Sequence, residues 1–190
     1  MKDAGLANVD HAIAEYMAGL LDESGLAEAA EAAPLVTEVD GMAVPLWAQR
    51  PFAARAAMLS GLALALPTGL FRPLEGPIKP ARRDDPACVI GVVMEQGQRW
   101  CCIDPRVFML KGQSLPERSP GGVFLAVEGS TFALHVDSLD AEISIRPEQV
   151  LWRGEGGQRP WLAGVTRDPQ RALLDASGVI EAIDQHIRQR

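Results

Sequence analysis

The pattern of hydrophobic positions divides the chain into two parts. In the first part, apolar residues recur at spacings of three and four with acidic residues between them, which predicts an amphipathic helix of about four turns. Its apolar positions are Val9, Ile13, Tyr16, Met17, Leu20 and Leu21. From about Pro51 onward, short apolar runs alternate with turn residues such as glycine and proline. This change predicts a helical tail and linker over residues 1–50 and a folded domain over residues 51–190.

The short apolar runs of the second part predict β-hairpins. Residues 54–59 and 62–66 flank Ser60-Gly61 and predict a hairpin, although alanine and leucine are weak strand formers and a helix is the alternative. Strands spaced by about 8 to 12 residues are typical of a β-barrel or a pair of barrels. Two clearer hairpins and four further strands follow, at residues 88–94 with 99–104, 123–127 with 131–136, and then 143–145, 149–153, 161–165 and 171–174.

A second predicted helix closes the chain. Val179, Ile180, Ile183 and Ile187 recur at helical spacing, and Ser177 stands just before them as the expected N-cap. The sequence therefore predicts a mainly β fold with an N-terminal amphipathic helix and a C-terminal helix.

Charge is distributed unevenly along the chain. Residues 1–40 contain one lysine and nine acidic residues, a net charge of −8, whereas the whole chain carries −7. Neither part has the clustered lysine and arginine that nucleic acid or an anionic membrane surface requires. No window approaches the roughly 20 apolar residues of a membrane span, and no signal-peptide pattern is present. We expect a cytoplasmic protein that binds no nucleic acid and does not insert into membranes.

The metal-binding and redox-active residue types predict neither a cofactor nor a metal. An odd number of cysteines, two of them adjacent, favours buried thiols over a disulfide framework. The three histidines are scattered and show no zinc-ligand spacing. The cysteines are Cys88, Cys101 and Cys102, and the histidines are His11, His135 and His186.

No catalytic signature stands out. Ser130, His135 and Asp137 are the residue types of a hydrolytic triad, but Ser130 lies in a predicted turn without the Gly-x-Ser-x-Gly context. We therefore predict no catalytic residues. A small-molecule-binding or hydrolytic site between two barrel subdomains stays open as the alternative, and a cleft that gathers Asp104, Asp137 and a histidine would favour it.

Two tryptophans and two arginines are candidates for partner binding. Trp152 and Trp161 are expected to face each other across a turn, with Arg153 and Arg159 beside them, and both residue types are enriched in binding hot spots. The alternative is that both tryptophans fill the core or form a cross-strand pair.

An ordered series of motifs resembles the CheW-like domains. Gly91, Gly97 and Asp104 are in register with one characteristic unit of that family. No single motif is specific, but the order of the series is. The matching stretches are residues 52–74 (FAARAAMLSGLALALPTGLFRPL), 90–104 (IGVVMEQGQRWCCID), 123–139 (VFLAVEGSTFALHVDSL) and 161–175 (WLAGVTRDPQRALLD).

Two further stretches narrow the resemblance. AIAEYMAGLL at residues 12–21 and QVLWRGEGGQRPWLAGV at residues 149–165 look like the ParP-type polar adaptors, which carry a tail before a CheW-like domain. One departure is that Gln96 occupies the position of the arginine that belongs to the receptor-facing surface in CheW, so a charge-assisted hydrogen bond is lost there. The proline-rich stretch at residues 73–86 is also unusual and is a candidate partner-binding loop.

The resemblance implies a fold and a function together. The fold it implies is a pair of linked, five-stranded, SH3-like β-barrel subdomains. The function it implies is that of a non-enzymatic scaffold in a bacterial chemotaxis array at the cell pole. Its implied partners are a CheA-type histidine kinase, the cytoplasmic tip of a chemoreceptor and, through the tail, a ParC-like positioning ATPase. The apolar face of the tail helix needs a surface to cover it, and the alternative to a partner with basic residues is the protein's own barrel. The partner-binding candidates of the second family unit are Val92, Val93, Met94 and Gln96.

Overall fold

The computed structural model describes residues 44–110, 118, 121–153 and 158–188. The predicted tail helix, with its apolar positions from Val9 to Leu21, lies outside the described residues. Within them the protein is mainly β, as the turn-separated runs predict, and it ends in a helix.

Twelve strands, two α-helices and two short 3-10 helices make up the described part of the chain. The 3-10 helices are Leu46–Ala48 and Pro147–Gln149, and the α-helices are α1 (Arg106–Met109) and α2 (Ala176–Arg188). The strands are β1 (Phe52–Leu59), β2 (Leu62–Pro67), β3 (Phe71–Pro73), β4 (Ile78–Pro80), β5 (Val89–Glu95), β6 (Gln98–Ile103), β7 (Val123–Val127), β8 (Phe132–Val136), β9 (Ser138–Ile145), β10 (Val150–Trp152), β11 (Leu162–Thr166) and β12 (Ala172–Leu174).

The strands form two sheets with different origins in the chain. The first sheet has the order β10-β11-β12-β2-β1-β9, so it combines the beginning and the end of the described chain. The second sheet has the order β3-β7-β8-β6-β5-β4 and comes from the continuous middle segment. Neighbours are antiparallel except for β12 with β2 and β6 with β8. Each sheet has six strands, not the five expected, partly because three-residue strands such as β3 and β4 are too short to show a hydrophobic period.

The first predicted hairpin is confirmed, and the helical alternative for it is wrong. Ser60 and Gly61 both adopt positive φ, at 49° and 88°, which matches the turn to the right-handed twist of the strands. In β2 the alternation of leucine and alanine sends Leu64 and Leu66 to one face and Ala65 to the other. Leucine and alanine alternate with a period of two, which separates them onto two faces of a strand but not of a helix. The resulting burial of the leucines outweighs the weak strand propensity of both residue types.

One apolar core lies between the sheets, and we call it the shared core. Alternation along a strand sends neighbours to opposite faces, so Leu174 of β12 enters the shared core while Leu173 faces a smaller cluster behind the first sheet. Both sheets and α1 contribute to it. Its largest fully buried side chains are Leu59, Leu62, Leu64, Leu66, Ile103, Met109, Leu125, Leu134, Trp161 and Leu174.

The C-terminal helix packs on the shared core as its apolar stripe predicts. Val179 and Ile183 are fully buried there. The N-cap prediction was wrong, because Ser177 is exposed within the first turn of α2. The cap is Asp175, whose Oδ2 accepts a hydrogen bond from the backbone N–H of Gly178 at 2.7 Å. Asp175 lies one position before the helix, where its carboxylate reaches the free N–H groups of the first turn.

The three cysteines are free thiols. Cys88 and Cys102 are buried and Cys101 is half-buried. Burial raises the pKa of the Cys102 thiol to about 12, so this group stays protonated at neutral pH and behaves as a small apolar side chain.

The smaller cluster behind the first sheet draws in residues from before Pro51. Ala48 is completely buried in it, and the ring of Trp47 packs edge-on against Phe52 at 5.1 Å and against Trp152 at 6.3 Å between centroids. We therefore propose that the boundary of the folding unit lies before Trp47 and not at residue 51.

We expect Trp47→Ala in the full chain to lower the free energy of unfolding by about 1–3 kcal/mol, because apolar area is lost and a cavity is left beside Trp152. The neighbouring Leu46 is 85% exposed and is the matched control, since Leu46→Ala should cost under about 0.5 kcal/mol. Urea denaturation followed by circular dichroism measures both. Equal midpoints for the two variants would contradict this boundary.

Candidate protein-binding surface

The outer end of the second sheet carries an unusual set of exposed side chains. Strand β4 pairs with β5, placing Lys79 opposite Val92, and β5 pairs with β6, placing Met94 opposite Arg99. Opposed residues of antiparallel strands project from the same face, so an apolar strip on β5 lies between two cations. Met94 is 47% exposed, and among the described residues only Leu46 is another large apolar side chain classed as exposed.

These residues line a groove of about 380 Å³. We call it the β5 groove, and it is lined by Lys79, Pro80, Arg82, Asp85, Val92, Met94 and Arg99. Its side chains carry three positive charges and one negative charge, a net charge of +2. The carboxylate of Asp85 is already engaged, because its Oδ2 accepts a hydrogen bond from the backbone N–H of Arg82 at 2.7 Å. The groove therefore presents an apolar floor with a basic rim.

A glycine allows β4 to lie against β5. A Cβ at Gly91 would come within 2.4 Å of the carbonyl oxygen of Lys79, so any side chain there would push β4 away. Strand β4 is the edge of the second sheet, and it presents Lys79 and Pro80. Charge and proline on an edge strand discourage a further strand from pairing with it. A partner is thereby directed to the face of the sheet, where the groove lies, and away from its edge.

The loop between β5 and β6 places Gln96 at the tip of the hairpin. Gln96 and Gly97 have φ of 51° and 80°, and Gln96 is exposed. The preceding Glu95 points to the other side, where it forms an ion pair with Arg72 at 2.6 Å and accepts a hydrogen bond from the backbone N–H of Glu75 at 2.8 Å. The hydrogen bond from Arg72 holds the pKa of Glu95 below its ordinary value. The carboxylate of Glu95 is thus committed to the frame of the second sheet.

Four partner-binding candidates lie on β5 and in the loop that follows it, and the structure divides them between the surface and the interior. Val92 is half-buried in the groove, Met94 is exposed in it, and Gln96 is exposed at the neighbouring hairpin tip. Val93 is 1% exposed and packs in a small cluster with Trp100 on the opposite face of the sheet. Three of these four residues therefore lie where a partner reaches them.

The structure does not bring the predicted tryptophan pair together. Trp152 is 4% exposed in the cluster behind the first sheet, where its Nε1 donates to the carbonyl oxygen of Pro147 at 3.0 Å. Trp161 is 2% exposed in the shared core. Both indoles are buried, in clusters on different faces of the first sheet. This arrangement agrees with the alternative that the tryptophans fill the core.

The two arginines beside these tryptophans are half-buried. Arg153 donates from Nη1 to the carbonyl oxygens of Arg159 and, at 3.3 Å, of Leu162. Burial and the nearby charge of Arg159 lower the pKa of Arg153. These bonds tie the segment that leads into β11 to the end of β10, so Arg153 has a structural use here, and a binding role for either arginine stays a prediction.

Sequence reasoning missed the basic rim of the groove. Lys79 and Arg82 come from the proline-rich stretch at residues 73–86, which the sequence indicated as a candidate partner-binding loop. Arg99 lies in β6, and the residues next to it in sequence show no pattern that predicts a binding surface. The proline-rich stretch was therefore a sequence signal for Lys79 and Arg82. The position of Arg99 beside the groove depends on the pairing of β6 with β5 and had no such signal.

A second groove, of about 680 Å³, lies on another part of the second sheet. Arg72 lies over the Trp100 ring at 5.9 Å from its centroid, and the indole Nε1 of Trp100 is buried without a hydrogen-bond partner among the described residues. Its lining consists of Arg72, Gln98, Trp100, Ala126, Glu128, Gly129, Ser130, Thr131, Phe132 and Ile180.

The residues of the hydrolytic alternative do not meet in either of these two grooves, although the charges of Asp104 and Asp137 both act on His135. Ser130 Oγ donates to the carbonyl oxygen of Val127 at 2.8 Å and accepts from the backbone N–H of Phe132 at 3.1 Å, so it closes a turn. Asp137 accepts a hydrogen bond from the backbone N–H of Ser60. Neither groove is lined by Asp104, by Asp137 or by a histidine.

Asp104 is buried and is held by a single arginine. Both of its carboxylate oxygens accept hydrogen bonds from Arg106, at 2.9 Å from Nε and 2.6 Å from Nη2. Burial acts to raise the pKa of Asp104, but the hydrogen bonds and charge of Arg106 outweigh it and hold the pKa below its ordinary value. This ion pair fixes the start of α1 against the end of β6 and commits both carboxylate oxygens of Asp104 to Arg106.

The described part of the chain offers neither a metal site nor a membrane-spanning helix. No group of three or more histidine, cysteine, aspartate or glutamate side chains is placed to hold a metal ion there. Among the same residues, every helix is too short or too polar to cross a bilayer.

His135 gives the fold a pH dependence. It is 2% exposed, packs against the Phe124 ring, and has an Nδ1 without a partner among the described residues. Burial, followed by the charge of Arg118, lowers its pKa from the ordinary value of 6.5. The unfolded chain therefore binds a proton more readily than the folded chain, so the contribution of neutral His135 to the free energy of unfolding is fully present above about pH 6.5 and decreases as the pH falls below it.

We expect the melting temperature to fall between pH 7.5 and pH 5.5, and we expect His135→Gln to flatten this fall. His186→Gln is the matched control, because His186 lies in the last turn of α2 and is not among the residues of the shared core. Thermal melts of the wild type and both variants at several pH values give the answer. An equally steep fall in His135→Gln would exclude His135 as its source.

A family model and a solved structure both match this protein. A family model described as the CheW-like domain matches residues 74–184, from the residue after β3 into α2. The crystal structure of the scaffolding protein TtCheW from Thermoanaerobacter tengcongensis matches with a TM-score of 0.55 and 15% identity, over 66% of this chain and 89% of that one. No curated protein matches the sequence. Because the family model covers more than half of the 190 residues, this protein belongs to the CheW-like domain family.

Proposed function

We propose that this protein is a non-enzymatic adaptor of a bacterial chemotaxis signalling array and that the β5 groove is one of its partner-binding surfaces. The observation that carries the proposal is the exposed Met94, set between cations on the two flanking strands of a CheW-like domain. An apolar centre with a charged rim is the usual anatomy of a protein interface, and methionine and arginine are enriched there.

The partners we propose are a CheA-type histidine kinase and the cytoplasmic tip of a chemoreceptor. Support comes from membership of the CheW-like family and from the description of TtCheW as a scaffolding protein. The net charge of +2 in the groove favours an acidic partner surface, which would speed association and select against basic competitors. The protected edge strand β4 favours docking on the face of the sheet over addition of a strand.

A role at the cell pole, with a ParC-like ATPase bound by the tail, is the narrower form of this proposal. It rests on the ParP-type resemblance of residues 12–21 and 149–165 and on the acidic, amphipathic pattern of the tail. The tail residues that would make this contact are Val9, Ile13, Tyr16, Met17, Leu20 and Leu21.

The commitment of polar groups to structure supports a non-enzymatic role. Asp104 is paired with Arg106, Ser130 closes a turn, and Arg153 ties two segments together. By contrast, the cations Lys79, Arg82 and Arg99 line an open groove, where they can contact another protein.

We expect Met94→Ala to weaken capture of the kinase or of the receptor tip by about 5- to 30-fold, which corresponds to 1–2 kcal/mol. Leu46→Ala is the matched control, because Leu46 is also a large exposed apolar residue but lies beside the first sheet. Biolayer interferometry with the immobilised kinase and receptor fragments from the same organism measures both. Unchanged binding of Met94→Ala to both partners would remove the groove from the proposal.

Gln96→Arg tests the departure from the family pattern. The substitution restores a charged donor at an exposed hairpin tip, and we expect it to strengthen receptor-tip binding by about three- to tenfold through a charge-assisted hydrogen bond. Gln98→Arg, at an exposed position on the adjacent strand, adds the same charge and serves as the control. The same gain in both variants would indicate general electrostatic attraction and would contradict a specific role for position 96.

A further inference from the structure

We propose that the β5 groove is the docking site of the protein's own acidic segment, residues 9–23. Charge is the first argument. The groove carries a net charge of +2, and its one carboxylate, on Asp85, is engaged by a backbone N–H. No ion pair joins Lys79 or Arg99 to another described residue, so both cations are available to an acidic segment. Residues 1–40 carry −8.

The width of the groove suits a helix. Lys79 on β4 and Arg99 on β6 flank Val92 and Met94 on β5. Adjacent strands lie about 4.8 Å apart, so the two outer strands are separated by about 10 Å. An α-helix with its side chains is about 10–12 Å in diameter. A helix laid along β5 would therefore rest on the apolar strip with one cation on each side.

The predicted tail helix has the complementary arrangement. At 3.6 residues per turn, the stripe of Val9, Ile13, Met17 and Leu20 has Asp10 at one edge and Glu23 at the other. An apolar stripe with an acidic group on each side matches an apolar strip with a basic group on each side. Apolar burial supplies affinity in such a helix-in-groove contact, and the flanking charges fix its orientation.

The length of the connecting chain allows this contact within one molecule. Leu21 is 23 residues before Val44, where the described chain begins. An extended chain of that length reaches about 80 Å. A domain of about 145 residues is about 40 Å across, so the segment reaches the groove from any point on the surface.

Docking of the tail would make the protein autoinhibited. This consequence rests on the proposed function, because it requires partners to use the same groove. A tethered segment has an effective concentration of about 1 mM, so an intrinsic dissociation constant near 0.1 mM would keep the groove about nine-tenths occupied. Partner affinity would then be lowered about tenfold, and a second ligand of the tail would release the groove.

Methyl NMR of the intact protein tests docking without any partner. With [¹³C]methyl-methionine labelling, Met17→Asp should move the Met94 resonance and leave the buried Met109 unchanged. Ala18→Asp adds the same charge on the opposite side of the predicted helix and should leave Met94 unmoved. A Met94 resonance that ignores Met17→Asp would overturn the proposal.

A charge exchange tests the predicted orientation. In the background Lys79→Glu with Arg99→Glu, whose own Met94 resonance is the reference, adding Met17→Asp should no longer move that resonance, and adding Asp10→Lys with Glu23→Lys should restore the shift that Met17→Asp produces. Circular dichroism confirms that each variant is folded. A failure of the second pair to restore the shift would contradict docking through these charges.

Dilution separates docking within one chain from exchange between two copies. The Met94 shift should be independent of protein concentration between about 10 µM and 500 µM, with a monomeric mass by sedimentation. A shift that disappears on dilution with loss of dimer mass would overturn the intramolecular proposal. If docking holds, Met17→Asp should also raise kinase or receptor affinity about tenfold. Docking without that gain would sink only the regulatory consequence, and partner binding without docking would sink only the inference about the tail.

Discussion

The structure depends on one apolar core that two sheets must share. Each strand has two faces, and the shared core uses one face of the central strands in both sheets. Leucines of β2 and β12 face leucines and valines of β7 and β8 across it, and α1 and α2 close its margins. Because neither sheet can cover this surface alone, burial of the shared core holds the second sheet, which comes from the middle of the chain, against the first, which comes from the segments on either side of it.

The position of the groove follows from this arrangement. Residues that point away from the shared core line two smaller clusters, one behind each sheet. On β5 the small cluster takes Val93, while its neighbours Val92 and Met94 project from the other face near the sheet edge. The apolar strip of the groove is therefore a consequence of strand alternation at an edge. The cations Lys79 and Arg99 lie on β4 and β6, the two strands that flank β5.

Two ion pairs stabilise the frame of the second sheet and leave the cations of the groove unpaired among the described residues. Asp104 with Arg106 and Glu95 with Arg72 are matched pairs, so neither carboxylate lowers the charge of the groove. Lys79 and Arg99 have no such partner among the described residues. The positive sign of the groove thus results from its own lining, in which three cations accompany one carboxylate, and it makes an acidic segment, in this chain or in a partner, the favoured occupant.

Most of the local elements follow from the amino-acid sequence, because they depend on short-range periodicity. Alternating Leu and Ala in β2, the β-branched run of β5 and the helical spacing from Val179 to Ile187 each predict their own conformation, and the ordered motifs indicated the family. Tertiary structure alone decided which residues face solvent. It buried Val93, Trp152 and Trp161, left Met94 exposed, and placed Lys79 and Arg99 on either side of β5. These outcomes depend on strand pairing between distant segments and on which sheet face meets the shared core, and a one-dimensional pattern contains neither.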